Sequence, residues 1–512
     1  MLYTILIYDI IISKTVEGVC ILVRLKDFNI GHDDGEQEAA DSIFVELFYT
    51  DNDNYNSILD KNKFIIKGKK GTGKTLLAEY VKTKHNKKNQ MCEIFKMTDI
   101  HEQMIKDSNV NMKNEEFKMF QRWFFSLVIG KSFVKKEGFR GKFNSKIHKF
   151  KKEIKALYPE SAYFLKNFFK KYQQDNVLES VIKDTKISLG TMMAIEQEFT
   201  KNNYFNQVDK FFNLMKSICK RKDVIIFIDD IDDFRGSIYE NENYINFLIS
   251  LIDVVKNFNM DMKKSNISCK IVLLMRDDIL DVLHSFAANS NKISSSIVEL
   301  NWVKNYKSET KYDTPLMAMI LYKLKNSVPE FSGKENKDVY NILFNKFDDE
   351  NRKSFSNYIM LNGCGRPREV IKLINLVKEK FPNQESFRLE YFRKVSADYS
   401  LWFMDEIRNE MTLKLSHFYI IDAFNLLKKF GKTSFFKREI EEFFNDNKEE
   451  YPYIKDIPTY LTCLYEYNVL GNVYISKKRK NYSWYYYRFA KKVNLKQKFV
   501  VHRALRKSLK LQ

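Results

Sequence analysis

The run Gly68-Lys69-Lys70-Gly71-Thr72-Gly73-Lys74-Thr75 fits the pattern G-x-x-x-x-G-K-[ST] at every position. Phe64-Ile65-Ile66-Lys67 before it reads as a short strand of β-branched and aromatic residues, and Leu76-Leu77-Ala78-Glu79-Tyr80-Val81 after it has helical spacing. Glycines let a backbone turn so that successive N–H groups point at phosphate oxygens. A helix starting near Thr75 adds the positive end of its dipole. The spacing therefore predicts a phosphate cradle over Gly68, Lys69, Lys70, Gly71, Thr72 and Gly73. Lys74 is placed to reach the β- and γ-phosphates of a nucleotide, and the Thr75 hydroxyl to hold Mg²⁺.

A second half for such a site lies downstream. Val224-Ile225-Ile226-Phe227-Ile228 is a continuous apolar run, the pattern of a strand buried on both faces of a parallel sheet, and it ends in Asp229-Asp230. An acid at that edge can hold the water shell of Mg²⁺, which we assign to Asp229. Asp230 is then the candidate for orienting or deprotonating the attacking water. Many ATPases use Glu here; Asp is one methylene shorter, so slow hydrolysis and a switch-like role are expected. Lys270-Ile271-Val272-Leu273-Leu274-Met275 is a further buried strand, and Arg276 follows it. Arg276 has two readings of equal weight: a group facing the γ-phosphate, or a salt bridge to Asp277 or Asp278 at a helix start.

Gly363-Cys364-Gly365-Arg366-Pro367-Arg368-Glu369 reads as a turn entering a helix, with Pro367 in the first turn. Two arginines oppose a helix dipole there and make sense beside an anion. With Gly-Lys-Lys-Gly-Thr-Gly-Lys-Thr, Phe-Ile-Asp-Asp-Ile-Asp-Asp, Leu-Met-Arg-Asp-Asp and Gly-Arg-Pro-Arg-Glu in this order, the chain resembles bacterial P-loop ATPases of the AAA+/STAND kind, akin to origin-recognition-type initiators. Within these it is most similar to a group that closes on a basic Val-His-x-x-Leu tail, here Val501-His502-Arg503-Ala504-Leu505. The resemblance runs from about Phe44 to the C-terminus. It implies an α/β fold: a P-loop NTPase αβα core with a five-stranded parallel sheet, a helical lid and a C-terminal winged-helix domain. It also implies that Arg366 or Arg368 is a second sensor of nucleotide state. Arg276 stands where many members carry Asn or Thr, and no arginine finger is evident, so the action of a hexameric motor is not expected.

Hydrophobic residues make up 44% of the 512, enough for real cores, while only 16 Gly and 7 Pro argue for long helices. Six scattered cysteines form no C-x-x-C pair, so neither zinc nor a disulfide framework is indicated, and a cytoplasmic location is expected. No apolar run reaches the about 18 residues that span a bilayer, so no membrane partner is expected. The first residues carry no basic leader; they read as a hairpin or as an over-called gene start. Net charge is +20 and concentrated: the 46 residues after Glu466 carry 13 Lys or Arg and no acid, and residues 131–155 carry ten against Glu137 and Glu153. Such blocks favour an anionic partner.

The expected organisation is an extension over 1–43, an ATPase core over 44–303 with a basic helical insertion at 114–200, a helical lid and connector over 304–413, and a basic winged-helix domain over 414–512. The insertion reads equally as a partner surface or as a packing appendage. Helices are expected from Phe418, Ile421, Ala423, Leu426 and Leu427 up to Gly431, from a cap at Thr433 or Ser434, and from a cap at Asp456 with Pro458 following. A hairpin would then carry Lys477, Lys478, Arg479 and Lys480 as phosphate contacts. Asn345-Lys346-Phe347-Asp348 spells the guanine-selecting N-K-x-D, but in a helical stretch with no suitable D-x-x-G, so adenine is retained. The expected function is a nucleotide-dependent switch that binds and hydrolyses ATP with Mg²⁺, associates with DNA and forms a nucleotide-dependent homo-oligomer. The alternative is a STAND-like switch with a protein partner, in antiviral defence. A small-molecule kinase would share the loop but leaves the basic tail unexplained. Changing residues 477–480 to Glu is expected to abolish salt-sensitive retention on DNA, measured on immobilised duplex over a salt gradient.

Overall fold

The computed structural model describes residues 23–50, 52–85, 90–97, 114–137, 145–155, 208–220, 222–231, 242–286, 290–303, 310–351, 354–412, 414–476, 479–487, 490 and 492–511. The expected hairpin at the N-terminus, most of the 114–200 insertion, Asp232, Asp233, Lys477 and Lys478 lie outside the described residues. The chain packs as two units. One, the sheet unit, comprises Asp51–Lys70 and Lys74–Leu300; the other, the helical unit, comprises Met1–Thr50, Gly71–Gly73 and Asn301–Gln512.

The sheet unit is a mixed α/β body around five parallel strands. These are β1 (Ile65–Lys67), β2 (Gln90–Lys96), β3 (Asp223–Asp229), β4 (Ser268–Met275) and β5 (Ile297–Glu299), in the order β2-β3-β4-β1-β5. β3 and β4 are buried almost throughout, as continuous apolar runs covered on both faces require. Parallel neighbours need helical crossovers. Helix Lys74–His85 joins β1 to β2, and helix Glu242–Lys264 joins β3 to β4. Helix Asn114–Glu137, the described start of the insertion, packs on that second crossover: Gln121 Nε2 donates to the Phe247 carbonyl (3.2 Å) and to Ser250 Oγ (3.0 Å). β4 lies between β1 and β3, with Leu273 beside both Ile65 and Ile228. The C-terminal ends of β1, β4 and β3 therefore meet at one edge, where parallel sheets carry ligands.

The helical unit has one continuous apolar core that draws on residues from Leu25 to Leu509. Its main helices are Pro315–Ser327, Asn336–Asn351, Pro367–Lys380, Leu389–Met411, His417–Phe430, Lys437–Asp446 and Ile457–Glu466. Phe344 stacks between Phe355 (4.4 Å) and Phe387 (4.9 Å). An antiparallel sheet of β6 (Ser434–Phe435), β7 (Leu470–Ser476), β8 (Arg479–Ser483) and β9 (Lys498–Val501) runs in the order β6-β9-β7-β8.

Two local expectations follow the chain closely. Gly431 ends its helix at φ 74°, a left-handed conformation that glycine adopts without steric cost, and Asp456 accepts from the Thr459 N–H at 2.7 Å. Two others shift. In helix His417–Phe430 the buried stripe is Ile420, Ala423, Phe424, Leu426 and Leu427, while Phe418 and Ile421 are exposed. Phe418 and Ile421 stand at helical spacing from exposed Asn425, Lys428 and Lys429, so they fall on the polar face of the helix. Ser434 does not cap the next helix, because pairing with Val500 draws it into β6. The helix begins at Lys437, and Glu439 accepts the Phe436 N–H at 2.7 Å.

His502 of the Val-His-x-x-Leu tail is buried in this unit. Its Nδ1 accepts the Ala504 N–H (3.3 Å), which leaves Nε2 to donate to the Gly363 carbonyl (3.2 Å). The ring stacks on Phe403 at 5.0 Å and meets Trp484 edge-on at 4.9 Å. Burial, with some help from the charges of Arg506 and Arg366, holds its pKa down to about 3, against 6.5 for a free histidine. The unfolded chain takes up this proton first. The stabilisation is thus complete above about pH 6.5 and is lost as pH falls towards 3. Between about pH 6.5 and 5 the site should cost ~2 kcal/mol of stability, at about 1.4 kcal/mol per pH unit. Chemical denaturation at both pH values is the measurement, and His502→Gln should flatten the dependence by that amount.

Candidate functional site

Gly68 still pairs with the sheet, donating its N–H to the Met275 carbonyl at 3.2 Å. The chain then turns through Gly71 (φ 81°) and Gly73 (φ 91°) before helix Lys74–His85 begins. A Cβ on Gly73 would meet nothing within 4 Å, so backbone conformation, not space, calls for glycine there. Lys74 Nζ folds back over the loop and donates to the carbonyls of Gly68 (2.9 Å) and Lys69 (3.2 Å). Thr75 Oγ1 donates to Asp229 Oδ2 at 2.7 Å, joining residues 154 apart in sequence. Asp229 is 4% exposed; its Oδ1 accepts the Asp230 N–H (2.9 Å) and its carbonyl accepts the Met97 N–H (2.8 Å). A hydroxyl and a carboxylate thus converge where the glycine-rich loop enters its helix. Both are hard oxygen donors of the type Mg²⁺ prefers.

Asp230 stands one residue past β3 at φ 50°, a region that Asp enters more readily than most residues but still at a cost. It pairs with Lys96 at 3.4 Å, both side chains being well exposed to solvent. Lys96 escaped the sequence reading; only the register, which sets it beside Asp229, identifies it. Arg276, at the end of β4, forks onto Asp278, with Nε to Oδ1 at 3.0 Å and Nη2 to Oδ2 at 2.6 Å. Of its two readings, this is the salt bridge at the start of helix Asp277–Phe286.

The two arginines of the 363–369 turn belong to the helical unit and differ sharply. Arg366 is 4% exposed; its Nε donates to Glu369 Oε1 (2.7 Å) and its Nη1 donates to Glu410. Glu369 Oε2 also accepts the N–H groups of Cys364 (2.6 Å) and Arg366 (3.2 Å). Burial pushes the Glu369 carboxyl above its ordinary range, against the pull of Arg366. A guanidinium held this way cannot turn to a phosphate without stranding two acids. Arg368 is more accessible and pairs with Glu406 at 3.0 Å. Gly71–Gly73 pack in this same unit, where the Arg368 N–H donates to the Gly71 carbonyl (3.4 Å) and the Trp302 indole donates to the Thr72 carbonyl (3.0 Å). Trp302 was not anticipated, since nothing in its surrounding sequence marks it.

Away from the loop, Arg479 opens β8 and Lys480 is exposed on it. The N-K-x-D string lies inside helix Asn336–Asn351; Phe347 is core, and Asp348 accepts the Phe355 N–H (2.8 Å) and pairs with Lys311 (2.7 Å). Among the described residues no helix is long and apolar enough to cross a membrane. A family model described as the FunZ-associated C-terminal helical domain matches residues 314–408, from helix Pro315–Ser327 through most of Leu389–Met411. No curated protein and no solved structure matches the chain. Because the backbone at Asp230 is strained, Asp230→Gly should hold or raise stability by up to ~1 kcal/mol. A denaturation midpoint that falls instead would mean that the pair with Lys96 outweighs the strain.

Proposed function

We propose that this chain is a P-loop ATPase of the AAA+/STAND kind that binds ATP with Mg²⁺, hydrolyses it slowly and acts as a switch associated with DNA. The observation that carries the reading is the 2.7 Å contact between Thr75 and Asp229, made where a glycine-rich loop starts a helix and a buried parallel strand ends. Bound Mg²⁺ would supply the charge that neutralises the phosphates. Thr75 and Asp229 would hold it, while the N–H groups of residues 68–75 and Lys74 Nζ would bind the phosphates. Asp230 would orient or deprotonate the attacking water.

Arg368 is the better second sensor: its side chain is partly exposed and its own N–H reaches Gly71, whereas Arg366 is locked between two buried carboxylates. Three helices followed by the β7–β8 hairpin support a winged helix, with residues 477–480 as phosphate contacts in the wing. A nucleotide can couple to DNA only through unequal affinity for two states of the protein. Nucleotide-dependent self-association is part of this reading, and a mass measurement with and without ATP tests it.

A protein-partnered STAND-like switch, in antiviral defence, is the second reading. It is favoured by the exposed stack of Phe418 on Tyr453 (5.1 Å) beside exposed Ile421. ATPase activity stimulated by DNA supports the first reading; activity that responds only to a protein supports the second. Lys74→Ala should abolish ATP binding measured by calorimetry with Mg²⁺. Asp230→Asn should keep ATP bound while lowering turnover by about a hundredfold or more, the scale of a lost general base. An unchanged rate removes Asp230 from the chemistry.

A further inference from the structure

We infer that the solvent face of the β6-β9-β7-β8 sheet is a platform for single-stranded nucleic acid, read by base stacking and not through a duplex groove. The inference rests on the DNA-association half of the function proposed above, not on its ATP half. Antiparallel partners share a face. Val473 pairs with Lys498 on one side and with Tyr482 on the other, so these three point the same way. Two residues along, Ile475 pairs with Lys480 on that same face. Phe435 pairs with Phe499, which sets Phe436 opposite Lys498, and Lys498 Nζ lies 5.7 Å from the Phe436 ring centroid. The opposite face carries Phe435, Asn472 and Phe499, all buried in the core.

The outer face is built from apolar groups that the fold leaves in water. Ile475 is 81% exposed, Phe436 51% and Tyr482 40%. Each aromatic ring has a lysine against it, Lys498 on Phe436 and Lys480 on Tyr482 (5.9 Å). Charge complementarity decides the occupant. The region after Glu466 has 13 Lys or Arg and no acid. Glu439, on the helix that follows Phe436, is taken up by Lys432 (2.7 Å) and the Phe436 N–H (2.7 Å). Two exposed rings, each with a lysine against it, suit unstacked bases and their phosphates, since every base offers a π-face and every link a charge. A duplex hides its bases and would leave the rings idle. Helix Ile457–Glu466 carries no Arg, Lys, Asn or Gln for reading base edges, which also argues against groove readout.

The test is fluorescence anisotropy with full-length protein, using a labelled mixed-sequence 20-nucleotide single strand and the matching 20-base-pair duplex over a salt series. The single strand should bind more tightly. Phe436→Ala and Tyr482→Ala should each weaken it by about tenfold, the scale of one lost stacking contact. Tyr482→Phe should keep wild-type affinity. Unchanged denaturation midpoints show that the exposed substitutions leave the fold intact; if Phe436→Ala lowers its midpoint, the Tyr482 pair alone decides. Equal binding of both probes with no effect from either alanine overturns the stacking platform and leaves DNA association standing. No binding of either probe overturns both and transfers the basic surface to a protein partner.

Discussion

The hydrogen bond from Thr75 to Asp229 is the point on which the sheet unit turns. It requires that the helix after β1 and the end of β3 arrive together, although β4 separates the two strands. Only a parallel arrangement brings all three carboxyl-terminal ends to one edge, and a parallel arrangement in turn demands long helical crossovers that bury both faces. The apolar runs of β3 and β4 are thus a consequence of burial on both faces of that parallel sheet. Arg276 is drawn into the same edge by topology, and Asp278 determines where its guanidinium rests.

Much of this was legible in the sequence because its causes are local. Buried strands announce themselves as unbroken apolar runs, and the loop announces itself through glycines that the left-handed turns at 71 and 73 require. Asp229 could be named from its place at the end of such a run. What stayed hidden depends on partners far away in the chain. Nothing near Arg366 foretells Glu410, and nothing near Asp230 foretells Lys96. The exposed face of helix His417–Phe430 was misjudged for a different, local reason. The expected apolar stripe includes Phe418 and Ile421, although Asn425, Lys428 and Lys429 at helical spacing mark their face as the outer one.

The helical unit gathers its unusual electrostatics around one turn. Gly363 gives its carbonyl to His502, Cys364 gives its N–H to Glu369, and Arg366 bridges Glu369 and Glu410. An imidazole and a guanidinium shared by two carboxylates thus meet at one buried turn, where each polar group depends on its neighbours for satisfaction. The resemblance motifs Gly-Arg-Pro-Arg-Glu and Val-His-x-x-Leu, read separately in the sequence, are two halves of this single arrangement. Internal bonding accounts for Arg366, Glu369 and His502, whereas Arg368 is only partly buried and Arg503 is exposed.

The segment that matches the helical family model, 314–408, does not own its core. Leu25, Phe28 and Ile30 fill one part of it, and Leu505 and Leu509 fill another. During synthesis the earliest of these residues emerge long before the last, and the body they share cannot close until the segment ending at Leu509 clears the ribosome. The sheet unit, whose strands are all made by Glu299, is under no such delay. The nascent chain therefore matures in an order set by its own topology: the sheet unit first, with Leu25, Phe28 and Ile30 unburied until the tail arrives.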